Sequence, residues 1–503
     1  MDFPGRLETI DSSQRDSWND EIEDFLGKPH LMEPNSNAVE FDDVALQSSL
    51  EEVALDLEEQ LGASLQNYDT GDPDPNIWSI IRTGKNLLRW FIQIYLDQRQ
   101  VQRQRSKNQG GCKLDVLRAP KALRCVIQVL NQSVEENKNI KVARDASLYI
   151  FYATFSHFPG DQSALTGIDY LIADLAFPKA CLEILMKIDS VALALTLVRN
   201  VHSMAVSSPA ARKSFVGREI FLDPIIATQS APWADCRSTT VNFFQSLLLL
   251  MRWSLDANPP FPSENPEDKR AELVVEILNC FYAMRKGKEL VEPTSDVTRK
   301  NDSSFLGYSI VRIFQLNLPA ISDTDNIISK RINMCQLSAV SLLMDSDVSI
   351  GKYLLENGCL ETLLELLKGQ VDDTVDNTKV DNAATASLVP IMVVLNRYSI
   401  ANSSFQKKVK AFVFPPETEK DLKIFLEEKR KQKMSPSDAP KETLRGKLIV
   451  LLSWVDGYIK RCSAELMWTL CNSDSSEFTF RVGLGNALPL LNSKGLSPIP
   501  LPS

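Results

Sequence analysis

The chain has 503 residues, 44% hydrophobic content and a formal net charge of −10, which is enough apolar material for several domains or for one long repeat array. Its nine cysteines are scattered, odd in number and never spaced as CxxC, which argues against a disulfide framework and favours reduced thiols. No apolar run approaches the roughly 20 residues of a membrane span, and the acidic start lacks a signal peptide's pattern, so we expect a cytoplasmic protein.

The first 75 residues carry most of the acidic character, with 20 acidic and three basic residues, and the remainder has a net charge of +7. This composition predicts a largely disordered leader over 1–75 with one acidic helix within Phe41–Leu61. The helix either folds back on the basic body or stays solvated. The basic residues of the body form no pattern typical of nucleic-acid binding.

From residue 76 onward the sequence predicts an almost unbroken series of helices, because apolar residues recur at helical spacing and no segment alternates like a strand. The expected helices are 76–105, 119–134, 139–156, 177–187, 189–206, 236–256, 267–288, 303–316, 323–345, 348–369, 381–400, 402–412, 417–433, 440–454 and 456–472. Helix pairs and triplets that recur about every 40 residues are typical of helical repeats, since one repeat cannot bury its apolar face alone.

Two segments show the repeat pattern best. Tyr353–Leu367 places a helix end at Gly358 before a leucine-rich stripe, and we interpret it as the last two helices of an armadillo repeat. Val191–Val216 has the same pattern, with Pro209 suited to a first helical turn. We therefore predict an all-α armadillo/HEAT-like superhelix over 76–496 and a Pro-rich tail over 497–503; the alternative is a generic helical bundle.

Motifs for covalent chemistry are missing from the sequence. There is no GxxxxGK[ST] loop, and Gly483-Leu484-Gly485 does not continue as a dinucleotide-binding fingerprint. The three histidines have no cysteine or carboxylate partners at metal-ligand spacing. A hydrolase or transferase would need a clustered polar site, so we expect no catalytic residues, no metal and no cofactor.

Asparagines inside apolar helices stand out, because asparagine disfavours helix interiors. Three lie within predicted helices and one at a helix end: Asn200, Asn279, Asn396 and Asn317. An asparagine on a concave helical surface can donate to and accept from a bound peptide's main chain. The alternative is that each amide bonds a neighbouring turn.

The C-terminal third carries a family resemblance. Its segments are Ser387–Leu395, Phe405–Pro416, Leu444–Leu448, Val455–Leu466, Thr469–Cys471 and Phe478–Leu491, and two upstream patches, Leu197–Pro209 and Asn317–Pro319, occur in matching order. This run, over about 387–496, resembles the synembryn family of exchange factors and folding chaperones for heterotrimeric G-protein α subunits (Gα).

The resemblance implies a protein that makes no covalent bond. A concave groove would hold the C-terminal helix of Gα, and the C-terminal helices would contact its switch region, so that the nucleotide-free state is favoured and GDP leaves. Asn200 and Asn317 would line the groove. The C-terminal contact surface would include Arg445, Lys447, Lys460, Arg461, Gly483, Gly485 and Asn486. For these, the alternatives are a solvated basic face and a glycine that only caps a helix.

The sequence departs from the family pattern at two places. Ala146–Ser156, the counterpart of a basic groove helix, has no basic residue, and the acidic phosphorylatable segment after the glycine-asparagine turn is missing, so we do not expect regulation by phosphorylation there. We expect a monomer that acts in the cytoplasm with recruitment to the cell cortex. The alternative function is an armadillo-type scaffold for another peptide or protein.

Overall fold

A computed structural model describes residues 54–64, 76–102, 113–135, 139–155, 162–216, 219–221, 240–256, 261–286, 306–316, 327–344, 346, 348–376, 382–415 and 442–496. The α-helices of these residues, numbered in chain order, are α1 (54–64), α2 (Ile77–Gln102), α3 (Pro120–Glu135), α4 (Ile140–Thr154), α5 (Gln162–Ala173), α6 (Phe177–Lys187), α7 (Val191–Ser207), α8 (Pro209–Val216), α9 (Phe243–Asp256), α10 (Arg270–Lys286), α11 (306–314), α12 (Ile327–Leu343), α13 (Ser349–Glu356), α14 (Cys359–Asp376), α15 (Asn382–Ala401), α16 (Ser403–Val413), α17 (Leu444–Leu451), α18 (Gly457–Leu470), α19 (Ser475–Val482) and α20 (Leu484–Ser493). A 3₁₀ helix, Lys113–Arg118, precedes α3. The chain forms two compact units, the first comprising residues 1–256 and 266–292 and the second comprising 257–265 and 293–503.

The first unit is built from repeats of three helices. The 3₁₀ helix with α3 and α4, then α5 to α7, then α8 to α10 form successive repeats, and each third helix packs on the next, so that α4 lies between α2 and α7, and α7 between α4 and α10. The second helices, α3, α6 and α9, also pack in sequence. Each repeat thus buries its apolar face against its neighbour, which confirms the predicted all-α repeat fold.

The second unit repeats the same arrangement. Helices α13, α14 and α15 pack respectively on α16, α17 and α18, and α15 also packs on α12. The segment Tyr353–Leu367 therefore supplies the first two helices of a three-helix repeat, and our interpretation of it as the last two was wrong. A helix pair with a glycine break has the same sequence pattern at the start and at the end of a three-helix repeat. Only the packing of α15 on α12 and α18 shows that α15 is the third helix.

Local sequence sets where the helices begin and end. Asn139, Ser190, Asn402, Thr443, Asp456 and Asp474 each accept a hydrogen bond from a first-turn amide of the following helix, as N-cap residues do. Gly358 has φ +70° between α13 and α14, a conformation that favours glycine after a helix end. Pro209 begins α8, as predicted.

Helices α2 and α4 pack closely around a buried ion pair. Lys85 Nζ lies 2.8 Å from Asp145 Oδ1, and Trp78 Nε1 donates to Asp145 Oδ2 at 3.0 Å. A Cβ at Gly84 would lie 2.5 Å from Cε2 of Tyr149, so the glycine permits this approach. The charged pair is buried but hydrogen-bonded, which is the condition for keeping ions inside a protein.

Helix α1 packs against the first unit instead of remaining solvated. Its residues Ala54, Leu57 and Leu61 are almost completely buried, whereas Leu55 is 54% exposed. A cleft of about 480 Å³ lies beside Lys121 of α3 and is lined by four α1 residues, Leu55, Asp56, Glu58 and Glu59. Of the two alternatives for the predicted acidic helix, folding onto the body is what the structure has; residues 1–53 lie outside the described part of the chain.

Several elements differ from the sequence-based expectation. Helices α5, α19 and α20 were not predicted, whereas the helix end at Gly358 within 348–369 was. The described residues of this all-α fold also include one short strand pair that was not predicted: Glu219–Phe221 (β1) and Thr240–Asn242 (β2) are antiparallel, with Ile220 opposite Val241. Three-residue strands are too short for alternation to be detected. The predicted helix 417–433 lies outside the described residues.

The packing of α1 gives a direct test. We expect Leu57→Ala to speed amide hydrogen exchange within α1 about 30-fold or more, because removing a fully buried leucine costs at least about 2 kcal/mol. Leu55→Ala is the matched control and should leave exchange nearly unchanged. Equal exchange rates in the two variants would show that α1 does not pack as described.

Candidate functional site

A cleft of about 360 Å³ opens on the third-helix face of the first unit. Its lining comes from the ends of α4 and α7 and from α10: Phe151, Phe155, Arg199, His202, Ser203, Val206, Ser207 and Glu276. The rings of Phe151 and Phe155 lie 5.7 Å apart, and Val206 is 62% exposed. The cleft therefore combines an apolar surface with a small number of polar groups, as peptide and ligand sites do.

The charges of three arginines from three helices act on Tyr152, which adjoins the cleft through its ring contact with Phe151. Burial raises the pKa of Tyr152, and the positive charges of Arg89, Arg199 and Arg144 oppose that rise. Arg199 makes no ion pair with any described residue, although it lines the cleft. The site therefore presents positive charge to an occupant.

One acidic residue also faces the cleft, but it has a partner. His202 Nδ1 and Glu276 Oε1 lie 2.6 Å apart and join α7 to α10. This contact occupies Oε1 of Glu276, and Arg199 remains in the lining without an ion pair to a described residue.

Asn200, the first predicted groove residue, is fully buried between α4 and α7. Its Nδ2 donates to the carbonyl of Ser147 at 2.8 Å, to Ser147 Oγ at 3.0 Å and to the carbonyl of Thr196 at 3.0 Å. Its Oδ1 is buried and accepts no hydrogen bond from a described residue. The bond to Thr196 goes to the preceding turn of α7, as the alternative given for these asparagines has it, and the bonds to Ser147 also join α7 to α4.

The other predicted groove asparagines lie on other helices or outside the described residues. Asn279 is half-buried on α10, and Asn396 is half-buried on α15 of the second unit. The Oδ1 atom of Asn396 is buried and has no hydrogen-bond partner among the described residues. Asn317 lies outside the described residues. Their assignment to a binding groove stays a prediction.

Two of the predicted C-terminal contact residues hold helices together. Lys447 Nζ lies 2.7 Å from Asp372 Oδ1 and 2.6 Å from Asp376 Oδ2, which ties α17 to α14. The hydrogen bonds that Lys447 donates to Asp372 and, to a lesser extent, to Asp376 raise the pKa of Lys447. Arg445 donates to the carbonyl of Arg481, and its burial lowers its pKa.

The remaining C-terminal candidates are placed differently. Arg461 is exposed and Lys460 half-buried on α18, beside Val455 and Tyr458, which are 88% and 75% exposed. Gly483 has φ +83° between α19 and α20, and Gly485 is exposed. Asn486 Nδ2 donates to the carbonyl of Val482 at 2.9 Å. Thus only part of the predicted surface is available to a partner.

Comparison of the sequence with known protein families identifies one that matches this chain. The model of the guanine nucleotide exchange factor synembryn family matches residues 219–500, more than half of the chain. The chain belongs to the synembryn family. Within that match lie α9 to α20 and all the predicted C-terminal contact residues.

Individual relatives of this synembryn are distant. It is 33% identical over 293 residues to the Xenopus laevis protein named chaperone Ric-8A, covering 56% of this chain and 46% of that protein. It is 24% identical over 244 residues to the Gallus gallus protein of the same name, covering 47% and 40%. The matched segments thus span less than half of each relative. A crystal structure of an engineered protein aligns over 96% of this chain with 12% identity and a TM-score of 0.43, too low to carry an argument.

Neither metal nor membrane chemistry is indicated in the part of this synembryn that the structure describes. Its histidine, cysteine and carboxylate side chains form no group that could hold a metal ion. None of its described helices has the length and apolar character of a membrane span.

Sequence reasoning missed the arginine of the cleft because it examined one helix for basic residues. Ala146–Ser156 has none, yet Arg199 of the adjacent helix α7 lines the cleft. A sign was available: Arg199, His202, Ser203 and Val206 follow helical spacing and therefore share one face of α7. From this helix we had predicted only Asn200 as a groove residue, and Asn200 faces the core.

The burial of Asn200 changes what its substitution should do. We expect Asn200→Ala to lower the free energy of unfolding by about 1–3 kcal/mol, because the hydrogen-bonded contact between α4 and α7 is lost. Asn279→Ala, at a half-buried position, should cost less than about 1 kcal/mol. Urea unfolding of both variants measures this, and equal stability of the two would argue against the buried role.

Lys447 allows a second test, based on pH. Because its pKa is raised in the folded state, its ion pairs stabilise the protein fully below the ordinary lysine pKa and lose their effect as pH rises through the raised value. We expect Lys447→Met to cost about 1 kcal/mol at pH 7, a figure reduced by the exposure of the aspartates. The difference from the unsubstituted chain should shrink only above about pH 10.

Lys460→Met is the control for this test. It removes the same charge from a neighbouring helix, and Lys460 makes no ion pair with a described residue, so unfolding should change by less than about 0.5 kcal/mol. If Lys447→Met proves as harmless as Lys460→Met at pH 7, the ion pairs with α14 do not contribute.

Proposed function

We propose that this synembryn is a guanine nucleotide exchange factor and folding chaperone for Gα, and that it stabilises the nucleotide-free state. The family match supports the exchange activity, and the relatives named chaperone Ric-8A support the folding activity. The partner would be a Gα subunit, in its GDP-bound or nucleotide-free form. The protein would act as a cytoplasmic monomer that is recruited to the cell cortex.

The observation that carries the proposal is the cleft on α4, α7 and α10. A helix that ends in a carboxylate could place apolar side chains against Phe151, Phe155 and Val206, with the carboxylate near Arg199. Arginine suits this task because its planar group can bind a carboxylate through two hydrogen bonds. The C-terminal helix of Gα is the ligand that the family resemblance implies.

Exchange by this route needs no catalytic residue. A binding protein shifts an equilibrium only by its difference in affinity for the two states. If it binds nucleotide-free Gα more tightly than GDP-bound Gα, then by linkage it weakens GDP binding by the same factor. Re-binding of GTP would release the partner for the same reason.

GDP release tests the proposal. We expect the purified chain to accelerate GDP release from at least one class of Gα and to form a complex in nucleotide-free buffer that a GTP analogue dissolves. Arg199→Glu should reduce the acceleration about tenfold or more, because a charge-assisted hydrogen bond contributes about 1.5–3 kcal/mol.

Arg124→Glu is the matched control, since Arg124 is exposed on α3, the second helix of its repeat, which does not line the cleft. It should leave GDP release unchanged. An equal loss in both variants would indicate a general charge effect. Absence of any complex with every Gα class would favour the alternative, an armadillo-type scaffold with another partner.

A further inference from the structure

The cleft defines the chemistry of any segment that it could hold. It presents two phenylalanine rings and an exposed valine, and Arg199, which makes no ion pair with a described residue, lines the same space. The charges of Arg89 and Arg144 act on Tyr152, whose ring contacts Phe151 of the lining. An amphipathic helix with an apolar stripe and an acidic face would match both features.

The leader of the same chain contains such a sequence. Between Ser17 and Gly27 it reads SWNDEIEDFLG, with five acidic residues and no basic one over residues 16–26. Trp18, Ile22, Phe25 and Leu26 are spaced i, i+4, i+7 and i+8, which places them on one face of a helix. Ser17 and Asp20 fit a capping box, and Gly27 followed by Pro29 fits a helix end.

The attachment point makes the contact feasible. Leader residues 1–53 lie outside the described residues, but α1 begins at Ala54 and packs on the same unit that bears the cleft. The 27 residues between Leu26 and Ala54 can extend about 90 Å. That length exceeds the diameter of a small helical domain, so the segment can reach any face of the unit.

We propose that residues 17–26 bind the cleft of their own chain and so exclude a partner's helix from it. The competition with Gα rests on the proposed function, whereas the contact itself does not. The segment would place Trp18, Ile22 and Phe25 against the phenylalanines and its carboxylates near the arginines. The leader is thus an intramolecular competitor for the groove.

A weak contact between residues 17–26 and the cleft is enough to reduce the binding of an external ligand. A flexible tether gives an effective concentration of about 1 mM. If the free segment binds with a Kd of about 0.1 mM, roughly one cleft in eleven stays open, and an external ligand binds about tenfold more weakly than it would to an empty cleft. A stronger partner can still displace the segment.

The test uses the full chain and a fluorescein-labelled peptide of residues 14–30, whose binding is followed by fluorescence anisotropy. The leader variant carries Trp18→Ala, Ile22→Ala and Phe25→Ala; its matched control carries Phe3→Ala, Leu7→Ala and Ile10→Ala. We expect the peptide to bind the leader variant about tenfold more tightly than the unsubstituted chain, and the control variant no more tightly than the unsubstituted chain.

Adding Arg199→Glu to the leader variant should weaken peptide binding about tenfold or more, whereas adding Arg124→Glu should not. The proposal is overturned if the peptide binds neither chain, if the leader variant gives no gain, or if Arg199→Glu has no effect. A parallel titration with Gα separates the two ideas. If the peptide binds as expected but Gα does not bind, only the proposed function is refuted. If Gα binds the leader variant no more tightly than it binds the unsubstituted chain, the competition is refuted.

Discussion

Stacking of third helices is the constraint on which the first unit depends, because α4 and α7 each lie between two helices of the same layer. A helix in that position is buried on the two sides that face its neighbours. Any polar group on those sides therefore needs a hydrogen-bond partner on an adjacent third helix. Asn200 of α7 finds it in Ser147 of α4, and Asp145 of α4 finds it in Lys85 and Trp78 of α2. These polar contacts follow the stacking direction and fix how each helix is rotated.

The rotation leaves one narrow face of each third helix for a ligand. On α7 the buried face includes Asn200, Val201 and Met204, and the accessible face includes Arg199, His202 and Val206. A binding surface built this way takes one stripe from each repeat. Its charge is therefore a property of several helices together, and a basic group missing from Ala146–Ser156 can be supplied by Arg199 of α7.

The sequence was sufficient for the repeat fold and for most helix positions, because apolar residues at helical spacing and breaks at Pro209 or Gly358 act locally. It was insufficient where the answer depends on neighbours. Leu55 and Leu57 have the same hydrophobicity, yet only Leu57 is buried, since the rotation of α1 depends on what it packs against. Likewise Lys447 resembles a solvated lysine in sequence, and two aspartates about 70 residues earlier decide its role.

The geometry of the cleft limits what the acidic charge of residues 1–75 can do. At physiological ionic strength charges attract over only about 8 Å, so the excess of acid in residues 1–75 cannot hold the leader on the body at a distance. Charge can only strengthen a contact that apolar side chains already make. A regulatory occupant of the cleft therefore needs both an apolar stripe and carboxylates, and it must remain weak enough for a partner with more buried surface to replace it. A short segment of four large apolar residues on a long tether meets both requirements.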